Sequence, residues 1–252
     1  MNKKPISDFF ERIDGSINDF TDSAIKNFGR GAGLSIYFVA KRTAEMINTS
    51  APKSSISPET TSRIGIFYPQ IDLNKVVVFE NAKLPANLFK ANIDGMTFGN
   101  SIYTTHKNCQ ADYYGILNLM HELIHVEQIN ALGEKEFAKQ YGQQFISCGG
   151  YGEKMPFEGE AYSFIRNLPF EPIYYLRANP DVEKLVQASK SGAFFHWLDN
   201  GVDEGRQACS IFKPSVYLAK NPDIEAICGK GNYKAAIRHW ARTGRKEARK
   251  GI

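Results

Sequence analysis

Apolar residues at Ile6, Phe9, Phe10, Ile13, Ile17, Phe20 and Phe28 recur at mostly helical spacing. They predict an amphipathic helix, broken at Asp14-Gly15. Gly29, Gly31 and Gly33 predict a turn, and 34–47 a second helix. No strand precedes these glycines and no Gly-Lys-Ser/Thr follows, so they read as a helix-to-helix turn and not a phosphate loop. Residues 48–62, NTSAPKSSISPETTS, have the Ser, Thr and Pro content of a linker.

The pattern then turns to strands. Residues 63–68, 75–80 and 97–105 are dominated by β-branched and aromatic side chains, with Pro69, Pro85, Gly95 and Gly99 as punctuation. From Ala111 it becomes helical: Tyr114, Leu117, Leu119, Met120, Leu123, Ile124 and Val126 form an apolar body that Gly133 closes. A helix over 134–145, a glycine loop over 147–156 and a helix from near Phe157 follow. Strands first and helices after predict an α+β domain.

Beyond residue 168 the chain repeats itself. FEPIYYLRANPDV (170–182) recurs as FKPSVYLAKNPDI (212–224), and His196-Trp197, Gly201 and Arg206 recur as His239-Trp240, Gly244 and Arg249. Such self-similarity predicts tandem units that stack helices into one apolar core. Asn179-Pro180-Asp181 and Asn221-Pro222-Asp223 predict a cap or turn, since Pro fits the first helical position after an Asn cap. The His-Trp pairs read as helix-packing residues rather than ligands. The organisation expected is a helical segment over 1–50, a linker over 51–62, an α+β domain over 63–168 and two repeats over 170–211 and 212–252.

Inside the apolar helix lies His121-Glu122-Leu123-Ile124-His125. Positions i and i+4 sit one turn apart on the same helix face, so both imidazoles can meet one ion. Zinc binds neutral imidazole and, at a catalytic centre, keeps a position open for water, whose pKa it lowers. Glu122 lies about 100° further round the helix, where its carboxylate can act as general base on that water. A catalytic zinc takes a third protein ligand. A third histidine is absent from the positions after the motif, where Gln128 and Ala131 stand. The candidates lie 33 and 35 residues past His125, in Phe157-Glu158-Gly159-Glu160-Ala161-Tyr162. Two positions apart on a helix, the carboxylates point to different sides, so one of them ligates: Glu160 is preferred and Glu158 is the alternative. Tyr162, Tyr151 and His106 are candidates for the donor that stabilises a developing oxyanion.

Residues 75–164 resemble the metallopeptidase domain that accompanies bacterial extracellular contractile injection systems. The resemblance rests on Val76-Val77-Val78-Phe79, on GMTFGNSIY from Gly95 to Tyr103, on HELIHVEQ and on EGEAYSF. The spacing is also similar to the wider gluzincin clan, in which two histidines and a glutamate hold zinc. The resemblance implies a zincin-like fold, with a small twisted sheet against the active-site helix. It also implies that 97–105 is an edge strand able to pair with an extended substrate. The sequence departs from family habit in Val126-Glu127-Gln128 after the motif and in Tyr162, where the family has an acid. The C-terminal units resemble short helical repeats carried by bacterial exported proteins.

Composition adds bounds. With 42% hydrophobic, 12% aromatic and 23% charged residues in 252, the chain is neither wholly disordered nor collagen-like nor a small disulfide scaffold. The most apolar stretch, 32–40, is far short of the roughly 20 residues that span a bilayer. Cys109, Cys148, Cys209 and Cys228 are widely scattered and read as free thiols. Met1-Asn2-Lys3-Lys4 leads into acidic, amphipathic sequence, so no cleavable signal is read and a bacterial location, cytoplasmic or exported by another route, is expected. Residues 170–252 hold fourteen Lys and Arg against nine Asp and Glu, while the first 169 hold seventeen against eighteen. Lys230, Lys234, Arg238, Arg242, Lys246 and Lys250 recur every four residues, a stripe suited to an anionic surface but not to sequence-specific nucleic acid.

Two functions are consistent with these features. The first is a zinc metallopeptidase acting on protein or peptide, its repeats used for targeting or docking. The second is a non-catalytic binding or loading module of a secretion or injection apparatus, with a structural or vestigial zinc site.

Overall fold

A computed structural model describes residues 29–85 and 93–252 of the chain. The amphipathic helix expected before residue 29 lies outside the described residues. The fold is mixed α/β and helix-rich, with a four-stranded mixed sheet. The described residues form two compact units, one of 29–54, 77–85, 93–107 and 124–160, the other of 55–76, 108–123 and 161–252. Each is assembled from separated stretches of the chain. No helix among the described residues is long and apolar enough to cross a membrane.

In the first unit, α1 (Gly29–Ile47) packs on α4 (Glu134–Ser147). Gly29, Gly31 and Gly33 belong to α1, where a turn was expected. Ile36, Tyr37, Ala40 and Ala44 form its buried stripe against Phe137 and Ala138, and the small alanines let the helices approach closely. Tyr37 and Lys41 both donate to Glu134 Oε1, at 3.1 and 2.6 Å.

The sheet has the order β1 (Lys53–Ser55), β2 (Val77–Phe79), β4 (Ser101–Thr104), β3 (Gly95–Phe98). β2 runs parallel to β4 and β3 antiparallel to it. The expected single strand over 97–105 is therefore a hairpin, in which Gly99, at φ 60°, takes the positive φ that the turn requires. β3 alone lies at that edge, while β4 is paired on both sides. Phe79 stacks on its cross-strand partner Tyr103 with ring centroids 4.5 Å apart.

In the second unit, the strand expected over 63–68 is helical. Ser57 caps α2 (Pro58–Ile64), accepting from the Thr60 N–H, and Pro58 occupies the first helical position. A single 3₁₀ turn, Gly65–Phe67, continues it. Thr60, Ile64, Phe67 and Tyr68 are the buried positions, a helical and not an alternating period. With β1, this gives regular structure to much of the stretch read as a linker.

The two sequence repeats take the same course. α6 (Pro172–Ala178), α7 (Pro180–Val186), α8 (Lys190–His196) and a π turn at Trp197–Gly201 are matched by α9 (Pro214–Lys220), α10 (Pro222–Cys228), α11 (Tyr233–His239) and a π turn at Trp240–Gly244. Tyr175 Oη lies 3.0 Å from His196 Nδ1, and Tyr217 Oη 2.7 Å from His239 Nδ1. Phe170 packs on Trp197 and Phe212 on Trp240, at 5.0 and 4.9 Å. Asn179 and Asn221 precede prolines as expected, but neither side chain caps its helix: each donates back to a tyrosine carbonyl, at 2.8 Å.

The basic stripe does not form one solvated face. α11 ends at His239, so the period of four is not carried by one helix. Arg242 donates to Phe67 O at 2.7 Å and lies over the Tyr68 and Phe164 rings. Arg238 reaches Ile66 O, and Lys234 pairs with Asp203 at 2.8 Å.

Candidate metal centre

The centre is built on α3 (Tyr113–Leu132) and the start of α5 (Pro156–Asn167). α3 begins where Asp112 Oδ1 accepts the backbone N–H groups of Tyr114 and Gly115, at 3.0 and 2.9 Å. It ends at Gly133, whose φ of 79° suits the residue after a helix. Ile116, Leu119, Met120, Leu123, Ile124, Val126 and Ile129 are all buried, so the helix is apolar on nearly every side and its few polar residues are enclosed with it. His121, Glu122 and His125 are 7%, 3% and 5% exposed. Tyr68 donates its hydroxyl to Met120 O and so fixes the turn that carries His121.

α5 has Pro156 at its first position and Glu158 in its first turn, where a carboxylate suits the helix dipole. Met155, Glu158, Ala161 and Phe164 are buried, whereas Glu160 is exposed. The downstream glutamate that joins the histidines is thus Glu158, at 2% exposure, and not the preferred Glu160. Its signal was in the sequence: Glu158 falls in phase with Met155, Ala161 and Phe164 on the apolar stripe of α5. Glu160 instead accepts from Gln128 Nε2 at 2.9 Å.

His121, His125 and Glu158 each offer one donor atom, and these lie within 4.8 Å of one another. Two imidazoles and one carboxylate are donor types that zinc takes. Around a tetrahedral zinc with bonds of about 2.0–2.1 Å, ligand atoms sit roughly 3.3–3.4 Å apart. His125 Nε2 and Glu158 Oε1 are separated by 3.3 Å. The residues present therefore fit that ion.

A buried carboxylate must be compensated. Tyr141 Oη donates to Glu158 Oε1 at 2.7 Å and Tyr151 Oη to Oε2 at 3.2 Å. Tyr151 is turned inward between Gly150 and Gly152, at φ 136° and 150°, backbone angles that favour glycine. Tyr141 had no distinguishing mark in the sequence beyond lying on a helix. Tyr162 packs edge-on to His121, with ring centroids 4.5 Å apart. His106 follows β4 and is not part of the group; its backbone carbonyl accepts from Asn81.

Comparison of the chain with known protein families, with curated proteins and with solved structures gives no match to any of them.

Proposed function

We propose that this chain is a zinc-dependent peptidase with a zincin-like fold. The observation that carries this reading is the buried His121, His125 and Glu158 group, which has the donor types and closeness zinc requires. Zinc held there supplies Lewis acidity and a water that ionises near neutral pH. Glu122 takes a proton from the attacking water as its oxygen joins the scissile carbonyl carbon. It then passes that proton to the leaving amine nitrogen. Glu122 is buried on the same apolar helix as the two histidines, next in sequence to His121. The substrate class is protein or peptide, an extended chain would pair with β3 at one edge of the sheet, and the paired C-terminal repeats serve docking.

Metal analysis of the purified protein beside His125→Ala, prepared identically, tests the reading. One zinc per chain, lost in the variant, is expected. No zinc in either protein after zinc is supplied would overturn it and leave a binding module.

A further inference from the structure

We infer that Gln128 and Glu160 are positioning residues, a two-step relay that fixes the tautomer and ring orientation of His125 so that its Nε2 faces the metal position. The inference rests on the zinc reading above and adds residues to that site which no zinc-ligand pattern selects.

The argument begins at the far end of the Gln128 side chain. Its Nε2 lies 2.9 Å from Glu160 Oε2 and 3.2 Å from Phe157 O. Both partners accept and neither donates, so the amide must present its NH₂ group to them. The amide oxygen is thereby turned toward His125 and lies 2.8 Å from Nδ1. An amide oxygen only accepts, so Nδ1 carries the hydrogen. In the neutral ring, the form that zinc binds, Nε2 is then the unprotonated nitrogen, and it lies 3.3 Å from Glu158 Oε1.

The relay replaces the carboxylate that usually meets the second nitrogen of a ligating histidine. Gln128 is neutral and buried, which avoids a second desolvated charge beside Glu158. The charge sits one step further out, on Glu160 at the surface, where it polarises the amide without the full cost of burial. This also gives Glu160 a role: its position two residues from Glu158 places it against Gln128 rather than against the histidines.

Zinc affinity measured by chelator competition on the full chain tests the relay, with the thermal midpoint of each metal-free protein as a folding control. Gln128→Met keeps the length of the side chain and removes all three hydrogen bonds, and is expected to weaken zinc binding about 10–100-fold. It is also expected to alter the visible absorption of the cobalt-substituted protein. Gln128→Glu alone puts a carboxylate against Glu160. Adding Glu160→Gln relieves that repulsion while keeping an acceptor for Nδ1, and is expected to recover at least about tenfold of the lost affinity, a coupling that independent surface changes do not show. If Gln128→Met does not fold, Glu160→Gln alone carries the test and is expected to weaken zinc binding by severalfold. Wild-type protein that binds zinc, with Gln128→Met (or Glu160→Gln in its place) within twofold of it, overturns the relay and leaves the peptidase reading intact. Wild-type protein that binds no zinc overturns that reading and the relay with it.

Discussion

Tyr141 donates its phenolic hydrogen to Glu158 Oε1 across 2.7 Å, and the same oxygen faces His125 Nε2 at 3.3 Å. The hydroxyl orients the carboxylate and offsets its charge. Tyr141→Phe keeps the ring beside Phe137 and deletes only that donor. Zinc affinity is expected to fall about tenfold, with the thermal midpoint of the metal-free protein little changed. Affinity within twofold of wild type would show that the hydroxyl does nothing for the site.

Glu122 lies on the same apolar helix as both histidines but outside the three-donor group. Glu122→Gln removes the proton acceptor and leaves the metal position alone. Hydrolysis of an unfolded protein substrate is expected to drop at least about 10²-fold while zinc content stays at the wild-type level. Full activity in the variant would sink the general-base assignment.

Each repeat has a glycine at the foot of its tyrosine. A Cβ added at Gly201 would run into Tyr175 Oη, and one at Gly244 into Tyr217 Oη, both closer than real Cβ contacts come. Gly201→Ala and Gly244→Ala are therefore each expected to destabilise by about 1–3 kcal/mol. Gly65→Ala is the control: its backbone is right-handed helical and its nearest neighbour is Leu73 Cδ1 at 3.8 Å. There the smaller entropy of the unfolded chain should stabilise by about 0.4–1 kcal/mol. Denaturant titration of the three variants decides the point, and equal stabilities would refute the packing argument.

Partial burial pulls the His239 imidazole below its ordinary pKa, with Arg249 acting the same way and Glu247 and Asp223 opposing. Tyr217 can donate to Nδ1 only while that nitrogen is unprotonated. The unfolded chain binds this proton near pH 6.5, above the folded protein. Stability from this site is thus fully present above about pH 6.5 and declines as the pH falls below it. His239→Gln retains an acceptor without a titration, so its thermal midpoint should change less between pH 7.5 and 5 than that of wild type. An unchanged difference would remove His239 from the acid response.

The features that were legible along the chain are those in which the deciding atoms are neighbours in sequence. The spacing of His121 and His125 is one helical turn, and the backbone repeat alone puts both imidazoles on one face. The duplicated Tyr, His, Gly and Arg positions of the repeats likewise fold into duplicated contacts. The 63–68 stretch misled because β-branched composition says nothing of phase: the Ser57-Pro58 cap starts a helix there, and burial at Ile64 and Phe67 keeps its period.

Other features depended on residues far apart in sequence. A charge every four residues looks solvated until Arg238 and Arg242 meet the Ile66 and Phe67 carbonyls, more than 170 positions upstream. Tyr141 and Tyr151 acquire a role only when α4 and its following loop bring both hydroxyls to one carboxylate. The sequence by itself determined the paired histidines, the buried helix that carries them and the repeats, because helical period and local apolar pattern act within a few residues. Only the tertiary structure decided between Glu158 and Glu160 and brought Gln128 to Glu160. Those outcomes depend on the phase in which a distant helix buries its apolar stripe, a long-range packing constraint that local periodicity does not express.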